Sequence, residues 1–338
     1  MQTMSAVQSG LRVSPAATYR PEAISILDDR RLRDMAQSYA TRRVPRNKIA
    51  TLLGEELEPE VGDLILVRVA RVGRYDYIEA SDSTISRFRP GQELVLCYAR
   101  PSDGSETIGI LPSAARRFQL LSPAGIAARV QSRVYSDGLV TELEYIGVLA
   151  DTRGNRINLE DWAIPSGGGS YVSQPVIAVI GEPMLPGEPC RSADIIRGLS
   201  QSGFRVGAAN ITGVPGCWKL GLLRNAGAKL AVDITDAGYI GISGLAPETI
   251  EKIFLSLSGH LAESGVDVLV LEIEQGVFGH DTANIVSLPC LQNRISNIVL
   301  EGRIGREAEL ERDTLRALGY NVTLVDAPEG RSEYMPLI

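Results

Sequence analysis

The chain has 338 residues, 44% hydrophobic and 22% charged, enough to bury one large core or two ordinary ones, and two domains are expected. Its net charge of −7 is unevenly spread: residues 1–165 balance 21 Lys and Arg against 21 Asp and Glu, whereas residues 166–338 hold 13 against 20. That spread excludes a broad nucleic-acid surface; with no apolar run near the ~20 residues that span a bilayer and no signal-peptide stretch, a cytoplasmic protein without membrane or nucleic-acid partners is expected.

Residues 1–60 read as a polar N-terminal segment. Short amphipathic helices are predicted over Ile24 to Met35 and Asn47 to Leu53, with loosely ordered flanks. Arg42, Arg43, Arg46 and Lys48 compose a basic arm or a solvated helix face, and the nearby Glu55, Glu56, Glu58 and Glu60 favour the solvated face.

From Val61 the apolar period changes to two. Runs beginning at Asp63, Glu93, Thr107 and Gly138 are rich in β-branched residues and separated by turn signals such as Arg89-Pro-Gly and Ser136-Asp-Gly. Short strands at close spacing without a long helix predict a small antiparallel barrel or sandwich over 61–164. Residues 165–175, containing Ser166-Gly-Gly-Gly-Ser, read as a flexible linker.

Residues 176–338 alternate strand and helix. Strands are predicted at Val176 to Ile180, Arg205 to Ala209, Val266 to Leu271, Asn297 to Leu300 and Asn321 to Val325. Helical spacing occupies Cys190 to Ser202, Pro247 to Ser264 and Gly305 to Leu318. The predicted fold class is therefore α/β, a parallel sheet covered on both faces, preceded by the β domain. Ligands of such sheets lie beyond the carboxyl ends of the strands, which selects the loops 181–188, 210–218, 272–280 and 301–305.

The first of these loops has the frame of a phosphate-binding loop: an apolar strand, a turn bounded by Gly181 and Gly187, then a helix. Its contents do not match that use. Glu188 and Pro189 stand where a lysine and a magnesium-binding hydroxyl belong, and the prolines at 183, 186 and 189 each remove an N–H donor. An ordinary strand-to-helix turn explains the two glycines equally well.

The remaining loops offer Asn210, Thr212, Trp218, Glu272, Gln275 and His280 as ligand-binding candidates. Trp218 suits stacking against a partner side chain or packing in a core. His280-Asp281 beside Glu272 has the makings of an acid–base pair, although surface polarity is the commoner reading. The two histidines, His260 and His280, do not make a metal site. Cys97, Cys190, Cys217 and Cys290 contain no C-x-x-C pair and read as reduced, packed thiols.

From Val176 to Leu271 the chain resembles a bacterial P-loop family related in fold to dethiobiotin synthetase, whose loop has the form G-T-D-x-x-x-G-K-T/S. The blocks that carry this are Gly181 to Gly187, Ile196-Arg-Gly-Leu, Gly203-Phe-Arg-Val-Gly-Ala-Ala, Asp233-Ile-Thr-Asp-Ala-Gly and Leu269-Val-Leu-Glu-Ile-Glu-Gln-Gly. Gln275 sits where that family has an aspartate, and Glu144-Tyr-Ile-Gly-Val-Leu-Ala-Asp is similar to the family's N-terminal region. The loop's lost residues make the chain similar also to noncatalytic accessory proteins of ribosomal-peptide pathways, the crocagin type among them. The resemblance implies no catalytic residue, no cofactor and no metal, and a peptide or small-molecule intermediate bound for partner enzymes of a biosynthetic pathway. The alternative is an ATP-dependent ligase or kinase with an atypical loop, which needs Arg191 or Lys219 as its replacement cation. A homo-oligomeric scaffold is the third possibility.

Overall fold

A computed structural model describes residues 24–100, 117–129, 140–165, 173–181, 190–302 and 305–326. The first part builds β1 (Ile24–Ile26), helix α1 (Asp29–Asp34), β2 (Ala36–Gln37), β3 (Thr51–Leu53), β4 (Leu64–Arg71), β5 (Tyr77–Glu79), β6 (Ile85–Arg87), β7 (Glu93–Tyr98), β8 (Arg117–Ser122), β9 (Ile126–Ala128) and β10 (Glu142–Ala150). Around the sheet, β10 pairs with β4, β4 with β7, β7 with β9, β9 with β8, and β8 returns to β10, which closes a five-stranded barrel. All of these pairs are antiparallel except β7 with β9. β10 also carries β3 and then β1, β2 lies beside β7, and β5 and β6 form a separate hairpin.

The period of two sorts the side chains. Along β4, Ile65, Val67 and Val69 join Leu94, Leu96, Phe118, Leu143 and Tyr145 in one cluster, while Leu64 and Leu66 join Val95, Cys97 and Leu149 in another. The first cluster centres on Phe118, stacked on Tyr145 at 5.0 Å between centroids and edge-on to Tyr98 at 5.6 Å. The second is covered by Leu27, Met35, Ala40, Val44 and Ile49. The N-terminal segment is thus part of the sheet and its covering layer, and the β structure begins ahead of residue 61. Asn47 to Leu53 forms a single 3-10 turn followed by β3 in place of the predicted helix, because Leu52 and Leu53 face opposite apolar clusters. Gly147 marks a bulge in β10 where a Cβ would stand 2.1 Å from the Leu53 carbonyl oxygen, so only glycine lets β3 approach.

The second part alternates β11 (Val176–Gly181), α2 (Arg191–Gln201), β12 (Val206–Asn210), α3 (Cys217–Asn225), β13 (Ala228–Asp233), α4 (Pro247–Glu263), β14 (Val268–Glu274), α5 (His280–Val286), α6 (Pro289–Gln292), β15 (Ile295–Gly302), α7 (Arg306–Ala317) and β16 (Val322–Asp326). The sheet is wholly parallel, in the order β13-β12-β14-β11-β15-β16. Right-handed crossovers put helices that lead leftward and rightward on opposite faces. Ala193, Ile196, Leu220 and Leu223 of α2 and α3 accordingly pack in one cluster, and α4 to α7 pack in the other. In α4, Pro247 opens the first turn, and Ile250, Ile253, Phe254, Leu257 and Leu261 recur at helical spacing, each fully buried and worth roughly 2 kcal/mol.

Candidate functional site

The sheet's switch point lies between β11 and β14. These strands are neighbours in register, Gly181 opposite Glu274, yet the chain leaves β11 toward β12 on one side and leaves β14 toward β15 on the other. Gly181 ends β11, and a Cβ there would stand 3.2 Å from Glu301 Oε2. Gly187, Glu188 and Pro189, which carry the phosphate-loop reading, lie outside the described residues.

The carboxyl edge is acidic. Asn210, the last residue of β12, is buried and donates from Nδ2 to Glu274 Oε1 at 3.1 Å and to Glu272 Oε2 at 3.4 Å. Thr212 Oγ1 accepts the Glu274 N–H at 2.6 Å. Gly213 has φ +76°, and a Cβ there would come within 2.1 Å of Glu274 Oε2, so the backbone reaches this carboxylate only through a glycine. The Lys219 ammonium, on the first turn of α3, is buried and bonded to Glu274 Oε1. On the other flank the Arg191 guanidinium pairs with buried Glu301 at 3.3 Å and donates to the Asp326 carbonyl at 2.9 Å. Both candidate replacement cations are therefore held by carboxylates of this edge. Burial, with Glu272 and Glu301 adding to it, pushes the Cys190 thiol up to about 12.

Asn210, Thr212 and Glu272 thus meet around Glu274, as their shared edge predicts. Trp218 lies next to Lys219 in α3, half-buried, its ring centroid 5.7 Å from Nζ and its indole against Gly216. Gln275 is exposed and holds φ +86°, a left-handed conformation that a non-glycine residue adopts at a cost. His280 begins α5. Among the described residues no group of three or more His, Cys, Asp or Glu side chains has the arrangement of a metal site.

The carboxyl ends of β12 and β13 are covered by the barrel domain. Tyr39 donates its hydroxyl to Asp233 Oδ2 at 2.8 Å, and Arg42 donates to Asp236 Oδ2 at 2.6 Å, to Asp233 Oδ1 at 3.4 Å and to Thr235 Oγ1. The Arg42 guanidinium lies 4.0 Å above the Tyr39 ring, and Arg43 reaches Asp236 Oδ1 at 3.6 Å and the Trp162 carbonyl at 2.7 Å. Burial would lower the Arg42 pKa, but Asp233 and Asp236 more than reverse this and raise it. Burial raises Asp236, with Asp233 reinforcing it. Arg42 and Arg43 are therefore junction residues, and neither a basic arm nor a solvated face. Arg46, also expected on that face, donates to the Leu32 and Met35 carbonyls.

A second junction lies beside Trp218. The Glu79 carboxylate on β5, almost fully buried, accepts the Cys217 backbone N–H at the start of α3, where the helix dipole favours an anion. Burial raises the Glu79 pKa, while the Cys217 N–H pulls it down. The Cys217 thiol is pushed up to about 12 by burial and by Glu79, which removes it as a nucleophile at neutral pH. The junction residues escaped sequence reasoning, although Asp233-Ile-Thr-Asp236 carries the spacing of a capping box and forms one.

No protein-family model and no curated protein matches the chain. Solved structures that resemble it include the signal recognition particle receptor FtsY from Elizabethkingia anophelis, at TM-score 0.29 and 12% identity, covering 45% of this chain and 49% of that one. The chain thus spans about half the length of that receptor. The kinase domain of the Escherichia coli tyrosine kinase ETK gives 0.29 and 12%, covering 48% and 72%. The hydrogenase maturation factor HypB from Archaeoglobus fulgidus gives 0.25 and 14%, covering 48% and 82%. These three are P-loop NTPases, and at such values the likeness carries no argument about activity.

Proposed function

We propose that the chain is a noncatalytic binding protein, with a degenerate phosphate loop, that holds a peptide such as a natural-product precursor, or an intermediate, for partner enzymes. One observation carries the reading. At the carboxyl edge where a nucleotide's phosphates would lie, Glu272, Glu274 and Glu301 gather, and the two nearby cations, Lys219 and Arg191, are already paired with two of them. A phosphate about 4 Å from a carboxylate meets roughly 4 kcal/mol of repulsion at an effective dielectric near 20, before any counter-charge is counted. The sequence of the loop adds Glu188 and removes three N–H donors, in the same direction.

Calorimetric titration of the full chain with ATP or GTP and magnesium tests the loss of nucleotide use. No binding in the micromolar range and no phosphate release is the expected result; micromolar affinity with turnover establishes the ligase or kinase reading in its place.

The edge strand β6 supports a peptide. Among the described residues β5 is the strand paired with it, and Ile85 on it is 58% exposed. Cys217 ties the hairpin to α3 through Glu79 and through Sγ to the Ser83 carbonyl at 3.7 Å, which sets Trp218 beside the turn that leads into β6. Trp218→Ala should weaken capture of a bound peptide about tenfold or more, read by fluorescence anisotropy; unchanged affinity removes Trp218 from the surface.

A further inference from the structure

The hydrogen bonds of the β5–β6 hairpin fix which residues of β6 face its outer edge. The Ala80 N–H donates to the Thr84 carbonyl at 2.7 Å, and the Phe88 N–H to the Asp76 carbonyl at 3.0 Å. In the register of the pair, Tyr77 opposite Arg87 and Glu79 opposite Ile85, these bonds make Thr84, Ser86 and Phe88 the residues that turn N–H and C=O toward β5. Ile85 and Arg87 therefore turn theirs outward, and among the described residues no backbone group meets them. On β5 the corresponding outward group is satisfied, since the Glu79 N–H finds the Pro123 carbonyl at 2.7 Å. The side chains of the two open positions share a face with Tyr77 and Glu79. Trp218 borders that face: a Cβ on Gly216 would stand 3.5 Å from Glu79 Oε2 and 3.1 Å from Trp218 Nε1.

Given a peptide ligand, as proposed above, we infer that it lies antiparallel along β6 as a third strand, with an acidic residue opposite Arg87 and a large apolar residue opposite Ile85, two places later. An antiparallel chain exchanges both backbone bonds with each of the two open residues, and its side chains at those positions point to the face that Trp218 borders. Ile85, 58% exposed, offers the apolar contact. The stretch from Thr84 to Arg89 holds two arginines and no acid, and both arginines are exposed. Arg87 is paired with Asp76, but their side chains are 73% and 48% exposed, and a pair so open to water contributes little and exchanges readily for a ligand carboxylate. The same arginines oppose the pairing of β6 with a second copy of itself, because like charges across adjoining strands are destabilising.

The test selects a random-peptide phage library on the full chain and measures labelled synthetic copies of the enriched sequences by fluorescence anisotropy. Enriched peptides should carry Asp or Glu two residues before a large apolar residue. Selection on Arg87→Glu should put Lys or Arg in place of that acid, and each peptide should prefer its own variant by about tenfold. Ile85→Pro removes an outward N–H and no hairpin bond, so Tm should stay within about 2 °C of the parent while affinity falls about tenfold or more. A larger fall in Tm means that the protein itself uses the Ile85 N–H, and the open edge is lost. Peptides that bind Ile85→Pro as well as the parent, or whose charge does not follow the Arg87→Glu exchange, overturn the β6 register and leave a peptide-binding protein standing. Failure of any sequence to enrich overturns both.

Discussion

Lys219 and Glu274 form a pair with both side chains almost wholly buried, and its energetics are asymmetric. Replacing Lys219 by Met leaves a carboxylate buried without its cation, which should cost about 3 kcal/mol in urea unfolding. The double change Lys219→Met with Glu274→Gln should recover most of that, because Gln keeps the size and can still bond Asn210; a double variant as unstable as the single one refutes the pairing as the cause. The lysine was legible as a candidate cation from its place after a strand. Its partner was not, because Glu274 is three residues past the predicted strand end, and only the extension of β14 turns its side chain inward.

Helix α3 and its neighbours show what spacing alone misses. Cys217 to Asn225 contains Gly221 and has a weak apolar stripe, and the following strand β13 has alanine at two of its six positions and a lysine at a third, so neither announces its type. By contrast, β11 and α4 carry a long apolar run or clear i, i+3, i+4 spacing and fall within a residue of their predicted bounds, whereas β14 starts two residues and ends three residues later than predicted. The start of α3 is instead fixed by a carboxylate from the other domain, Glu79. Its raised pKa sets a sign. A carboxyl whose folded pKa stands above its ordinary 4.5 costs nothing below that pH and destabilises progressively as pH climbs through the folded pKa. Glu79→Gln keeps an acceptor for the Cys217 N–H, so its melting temperature should rise relative to the parent between pH 4.5 and 7 and match it at lower pH. A constant offset across that range would mean that Glu79 does not titrate with folding.

The two domains share buried contacts, as Tyr39 packs in the core of the α/β sheet and Ile240 in that of the barrel. Calorimetry should therefore record one cooperative transition for the whole chain. Arg42→Ala strands Asp233 and Asp236, costs about 3 kcal/mol and should split that transition in two; a single unshifted peak refutes the junction's weight. The two-domain order, the barrel as one of two alternatives and the parallel sheet were all legible in the periodicities. Barrel closure was not, since it depends on β8 meeting β10 in register, nor was the junction, since nothing local links Arg42 to Asp236.

That junction also sets a timetable for synthesis. Arg42 leaves the ribosome 194 residues before Asp236, which is about 10–40 s at ordinary elongation rates, and the barrel closes only once β10 has emerged. For that interval the nascent chain presents Tyr39 and Arg42 to solvent with no acidic partner, and completion of β13 quenches them. The polar character of residues 24–60, which resembles a loose tail in one dimension, keeps the waiting half of the interface soluble until its other half is made.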